Sequence, residues 1–312
     1  MSKEKVRAED LHRVLDAEVS KLRAAPEWKR WLDVAALLPT YGFGNLVLIN
    51  LQMREASWLA RARQWQQLGR RVDAGRGIRI LTPQRSHALA RDPRRHGGAD
   101  GSIEDQVIGF RVGLVYDITA TVGPPVHLPR PPAAADAALA RRVWDGLAHD
   151  VAGDGYAVDV RPTGDGSEGF TDYGASRIVI ADHLDDFRAV ARLAHEVGHV
   201  RMHPPADPDA ANGCMGTREV EAESVAYVVL ARYGLSFDAE SFDYIAHWAR
   251  QADPEDPTSV VKATGVRVVK TARRLIDSMD KQLGAQRAPL TSAQVRPLDS
   301  ASVTADVDGP AL

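Results

Sequence analysis

His195-Glu196-Val197-Gly198-His199 constrains this 312-residue chain more than any other stretch, because the pattern makes sense in only one backbone conformation. In an α-helix, residues four apart lie one turn above each other on one face, so the two imidazoles reach one point. Zinc fits there, and the intervening Glu196 is placed to act as general base on the attacking water. The flanking residues agree on a helix. From Phe187 to His203 the apolar Val190, Leu193, Val197 and Val200 recur at helical spacing and leave His195, Glu196 and His199 on another face. Gly198 leaves room for a close neighbour.

A catalytic zinc takes three protein ligands and keeps a fourth position open. The third is sought downstream, where Thr217 to Tyr227 reads as a second helix with Val220, Val225, Val228 and Val229 along an apolar stripe. Glu219, Glu221 and Glu223 compete for the role. Glu219 and Glu223 share a face and Glu221 points away, so Glu219 is the expected ligand, with Glu223 one turn on accepting a hydrogen bond from a ligand histidine. Glu221 or Glu223 as the ligand stays open. His203 continues the four-residue ladder near the helix end, where it caps carbonyls or faces the cleft, and Cys214, the single cysteine, is a further thiolate candidate. Tyr173, His203 and Tyr227 are candidates to stabilise an oxyanion.

One cysteine excludes an internal disulfide, which fits a reducing compartment. The first residues lack the apolar core of a signal peptide, and no apolar run approaches the ~20 residues that span a bilayer, so a cytoplasmic protein with no membrane partner is expected. The overall charge of −3 hides an asymmetry. Residues 1–130 carry 21 basic and 14 acidic side chains, a net of +7, and the remainder carries −10. Eleven arginines between residues 54 and 95 face three acidic residues, the electrostatic footprint of a polyanion-binding surface.

The pattern along the chain is α+β in two domains: a small basic helix-plus-sheet domain over residues 1–122 and a mainly helical domain with a small sheet over 136–285. Pro124, Pro125, Pro129, Pro131 and Pro132 make residues 123–135 a stiff linker, and residues 286–312 read as a disordered tail. Helices are expected at Leu11–Leu22, Trp28–Leu38, Leu46–Met53, Ser57–Leu68, Ala135–Leu147, Phe187–His203, Thr217–Tyr227, Phe242–Arg250 and Thr258–Leu283. Strands are expected at Ile78–Leu81, Val107–Ile118, Tyr156–Val160 and Arg177–Ala181, with a mobile loop over 84–105.

Two stretches carry a resemblance. Tyr41-Gly-Phe-Gly-Asn-Leu-Val-Leu-Ile-Asn-Leu-Gln and Trp65-Gln-Gln-Leu-Gly-Arg-Arg-Val-Asp-Ala-Gly-Arg-Gly-Ile-Arg-Ile-Leu resemble the N-terminal domain of the ArdC antirestriction family. Val115 to Pro125 looks like the strand that closes that domain. His195 to His199 followed by Glu219-Val-Glu-Ala-Glu is similar to the zinc metallopeptidase domain attached to it, itself similar to the ImmA/IrrE peptidases and to gluzincins. The resemblance implies single-stranded DNA binding by the first domain and peptide-bond hydrolysis by the second, in a protein associated with mobile elements. For the DNA, Arg70, Arg71, Arg76 and Arg79 are the phosphate contacts and Phe43, in its glycine turn, the stacking platform. Trp58 and Trp65, seven apart, fit a core-facing helix stripe. The competing expectation is a DNA-binding protein whose metal site is structural and without peptidase activity.

Overall fold

The computed structural model describes residues 6–86, 106–126, 137–164, 166–204, 215–235 and 245–283. Most of the proline-rich linker, most of the 84–105 loop, Cys214 and the expected tail lie outside them.

Three helices open the chain: α1 (Ala8–Lys21), α2 (Ala25–Leu37) and α3 (Phe43–Gln52). Leu11, Leu15 and Val19, four apart, are the buried stripe of α1. Pro26 sits in the first turn of α2, where its missing N–H costs nothing. The chain then runs through β1 (Leu59–Ala60), α4 (Ala62–Gln67), β2 (Arg71–Val72), β3 (Ile78–Ser86), β4 (Gln106–Asp117) and β5 (Thr121–Val122). β4 pairs antiparallel with both β1 and β3, and β2 pairs with β5.

The expected helix from Ser57 to Leu68 is therefore shortened to Ala62–Gln67, and its first residues are extended, with Leu59–Ala60 in strand. Buried Asp117 is the reason: its Oδ2 accepts from the backbone N–H groups of Ser57 and Trp58 at 2.8 and 3.1 Å, which holds that segment extended beside β4. Trp58 and Trp65 consequently do not share a helix. They meet in a small second core with Tyr116 and Leu68, where Trp65 donates from Nε1 to the Tyr116 carbonyl at 2.9 Å.

β3 is an edge strand, and its outward backbone groups need partners. Two amides on α3 supply them. The Gln52 side chain accepts from Arg79 N–H and donates to its carbonyl, both at 2.9 Å, and Asn45 does the same to Leu81 at 2.8 and 2.9 Å. An amide carries both a donor and an acceptor, so it imitates a neighbouring strand. These two residues give the glycine-flanked Asn-to-Gln stretch its structural purpose.

The second half comprises α5 (Ala137–Ala152), β6 (Ala157–Val160), β7 (Gly169–Asp172), β8 (Arg177–Ile180), α6 (Asp186–Met202), α7 (Met215–Arg232), α8 (Ile245–Ala252) and α9 (Pro257–Leu283). Its sheet has the order β6-β8-β7, with β6 parallel and β7 antiparallel to β8, whose Ile178, Val179 and Ile180 are buried. β7 is unanticipated: Gly-Phe-Thr-Asp is too short to show a two-residue period. The halves share one hydrophobic core. Trp28, Trp31 and Phe43 belong to the same buried cluster as Leu193, Val225 and Val268. A polar seam fixes α2 on α7, with Trp28 Nε1 donating to Ser224 at 2.9 Å and the Tyr227 hydroxyl accepting from Lys29 at 2.8 Å and donating to Asp33 at 2.5 Å. Among the described residues no helix is long and apolar enough to cross a membrane.

Candidate metal centre

α6 starts under a strong local instruction. The Asp185 side chain accepts from the backbone N–H groups of Phe187 and Arg188 at 3.0 and 2.9 Å, capping the helix. From that start, His195 and His199 fall on one face as their spacing requires, and α7 crosses that face closely. The closeness depends on Gly198. A Cβ there would stand 2.9 Å from both the Cα and the carbonyl oxygen of Ala222, which lies between Glu221 and Glu223.

The crossing brings His195, His199 and Glu219 together. Their facing atoms form a triangle: Nε2 to Nε2 is 3.0 Å, and the Glu219 oxygens lie 3.2 Å from His195 Nε2 and 3.4 Å from His199 Nε2. A tetrahedral ion with bonds of roughly 2.0–2.1 Å needs ligand atoms about 3.3 Å apart, and these separations, the two to Glu219 made by different oxygens of its carboxylate, lie close to that value. Glu219 is 46% exposed in its side chain and opens toward solvent, while the His195 and Glu196 side chains are buried.

Surrounding groups hold the triangle. Glu223 Oε2 lies 2.8 Å from His195 Nδ1 and accepts its proton, so that Nε2 faces the other two groups of the triangle. Burial works against a charged His195, but Glu219 and Glu223, joined by Glu196, outweigh it and raise its pKa to about 9. Hydrogen bonds from His195 and His199 hold Glu219 far below the usual carboxylate range. Glu196, one residue from His195, is fixed by Thr171 of β7, whose hydroxyl donates to Oε2 at 2.8 Å.

The triangle lies in a cleft of about 330 Å³ lined by Gly169, Thr171, Tyr173, Arg192, Glu196 and Arg218, among others. Tyr173 is thus the one oxyanion candidate in place, its phenol pKa raised by burial. Tyr227 and His203 are corrected. Tyr227 is engaged in the seam with Lys29 and Asp33, and His203 bonds Glu221 behind the centre. Arg192 and Arg218 had no signal beyond sharing the two expected ligand helices, and Thr171 had none, since β7 brings it in from a separate segment.

The fold is that of ArdC. Two structures of the antirestriction protein ArdC from plasmid R388 superpose on this chain. The metal-free structure matches with a TM-score of 0.50 at 18% identity, over 77% of this chain and 86% of that one. The Mn(II)-bound structure matches with a TM-score of 0.52 at 16% identity, over 86% and 97%. In sequence, the uncharacterized protein pXO2-81 of Bacillus anthracis is 27% identical over 109 residues, 35% of this chain. The match spans only 18% of that protein's length. No protein-family model matches the chain.

In the half of this ArdC-like fold that holds the basic stretch, two expected contacts need correction. Phe43 is 4% exposed: it starts α3, packs edge-on against Trp31 at 5.2 Å and presses on Gly265 of α9, so no base can stack on it. Arg70 is a clamp. Its guanidinium donates to the Thr121 hydroxyl at 2.8 Å, the Thr121 and Gly123 carbonyls at 3.1 Å, and the Pro124 carbonyl. Arg71, Arg76 and Arg79 are exposed, with Arg76 also donating to the Thr119 carbonyl at 2.7 Å. The exposed aromatic of this region is Phe110 on β4, 45% accessible among the exposed Val107, Ile108 and Arg111.

Proposed function

We propose that the chain is an ArdC-like, mobile-element-associated antirestriction protein that joins a metal-dependent peptidase centre to a single-stranded DNA-binding surface. One observation carries the peptidase reading: two imidazoles and a carboxylate converge within metal-ligand reach in an open cleft, with a fixed second carboxylate beside them. His195, His199 and Glu219 would hold the ion. His2Glu is a zinc set, and the Mn(II)-bound ArdC structure supports a divalent ion on this fold. When bound, the ion polarises a substrate carbonyl and acidifies its water. Glu196 Oε1 and Oε2 take the proton of the attacking water and return it to the leaving amine, while Thr171 keeps the carboxylate aimed into the cleft. Tyr173 supplies a donor on the cleft wall.

The DNA reading rests on the exposed Arg71, Arg76 and Arg79, with Phe110 replacing Phe43 as stacking platform. Fluorescence anisotropy of a labelled single strand, with duplex competitor and at two salt concentrations, tests it. Tight, salt-sensitive, strand-selective binding is expected. No binding at low salt removes this half of the proposal and leaves a peptidase with an unassigned basic surface. For the peptidase half, cleavage of a labelled peptide library by the Zn(II)-loaded protein should vanish in Glu196→Gln. Cleavage that survives the substitution contradicts the assignment, and a DNA-binding protein with a structural metal site is the reading that then remains.

A further inference from the structure

We infer that His203 and Glu221 are positioning residues that orient His199 through a buried imidazole–imidazole–carboxylate relay; this rests on the metal-centre reading above. The two ligand histidines are supported differently. His195 leans directly on Glu223. His199 has no carboxylate at its Nδ1; that atom lies 3.2 Å from Nδ1 of His203, whose Nε2 lies 2.9 Å from Glu221 Oε2. Glu221 Oε1 accepts from the Thr264 hydroxyl at 3.0 Å and from the Arg267 guanidinium, both on α9. His203, Glu221 and Thr264 are all buried.

Proton placement admits one arrangement. His199 Nε2 faces the other donors of the triangle, so its lone pair belongs there and its proton sits on Nδ1. His203 Nδ1 must then accept, which places its proton on Nε2, directed at Glu221. A proton on His203 Nδ1 would set two N–H groups against each other and turn a lone pair toward a carboxylate. The relay does for His199 what Glu223 does for His195: it fixes the tautomer, locks the ring plane and makes Nε2 a stronger donor. It also makes α9, which lines no part of the cleft, a support of the centre. Glu221, turned away from its sister glutamates, has a use that explains how a carboxylate with 0% exposure is tolerated.

The test is metal affinity in full-length protein. Zn(II) binding is measured by chelator competition, and the visible absorption of bound Co(II) reports ligand geometry, for wild type, His203→Phe and His203→Asn. Phe fills the ring's space without the bonds and leaves Glu221 with Thr264 and Arg267. Asn keeps an acceptor near the position of Nδ1. The expected result is about 10- to 100-fold weaker Zn(II) binding and an altered Co(II) spectrum in His203→Phe, with partial recovery in His203→Asn. A folded His203→Phe protein with wild-type affinity and spectrum overturns the relay alone. Asn no better than Phe overturns the orienting bond to His199. If wild type takes up neither ion, the metal-centre reading falls and the relay with it.

Discussion

His195 is the residue whose chemistry is most exposed to measurement. Its pKa is raised from an ordinary value near 6.5 to about 9 by Glu219 and Glu223, against the opposing effect of burial. The sign follows from the protonated form being favoured in the folded chain. Without metal, this contribution to stability is complete below pH 6.5 and disappears as pH rises through about 9. An ion must displace the same proton, so metal affinity runs the other way and should rise about tenfold per pH unit over that interval. Calorimetric titration at several pH values checks this; an affinity flat between pH 6.5 and 8.5 would contradict it. The neighbouring glutamates show what a residue's spacing can and cannot convey. Helical periodicity places Glu219 and Glu223 together and turns Glu221 aside, and the centre is built that way. The environment of Glu221 was not legible, because Thr264 and Arg267 come from a helix more than forty residues away. Thr171 hid for the same reason, on a four-residue strand with no period to read.

At the scale of elements, the α6–α7 crossing decides whether the ligands meet. Gly198 makes that crossing, and its use was legible as a missing side chain between two ligands. Gly198→Ala should force α7 outward, cost about 1–3 kcal/mol of stability and weaken metal binding by moving Glu219 and Glu223. Thermal unfolding with and without Zn(II) reads both effects, and an unchanged metal-induced stabilisation would show that the crossing tolerates a methyl group. The misread elements share a cause. The segment after Ser57 has helix-forming residues, yet Asp117, sixty positions on, captures its backbone and turns it into strand. Phe43 looked like a loop-tip aromatic because glycines flank it, but it opens α3 and faces Trp31 and Gly265 across the core. Local propensity lost to partners that are distant in sequence.

For the whole molecule, charge and core divide the chain differently. The basic excess belongs to the first 130 residues, whereas the main hydrophobic core runs from α1 through α9. The basic surface and the candidate metal centre are therefore mounted on one packed body. The α+β class and the basic first half were readable from composition and period; the shared core was not, because Trp28–Ser224 and Lys29–Tyr227 join residues almost two hundred positions apart. Two phenylalanine substitutions separate surface from support. Phe110→Ala should weaken single-strand binding by about 1–3 kcal/mol and leave the fold intact. Phe43→Ala should cost about 3–5 kcal/mol of stability instead. Charge reversal at Arg71 and Arg79 should lower DNA affinity and flatten its dependence on salt.

The most direct test of the metal centre is the stoichiometry of bound divalent ion after equilibrium dialysis against Zn(II), measured for wild type, Glu219→Ala and Glu196→Gln. One ion per chain in wild type, its loss in Glu219→Ala and its retention in Glu196→Gln is the expected result, since the proposed centre makes Glu219 a ligand and Glu196 the base beside it. A full equivalent retained by Glu219→Ala, or none bound by wild type, would contradict the centre built from His195, His199 and Glu219.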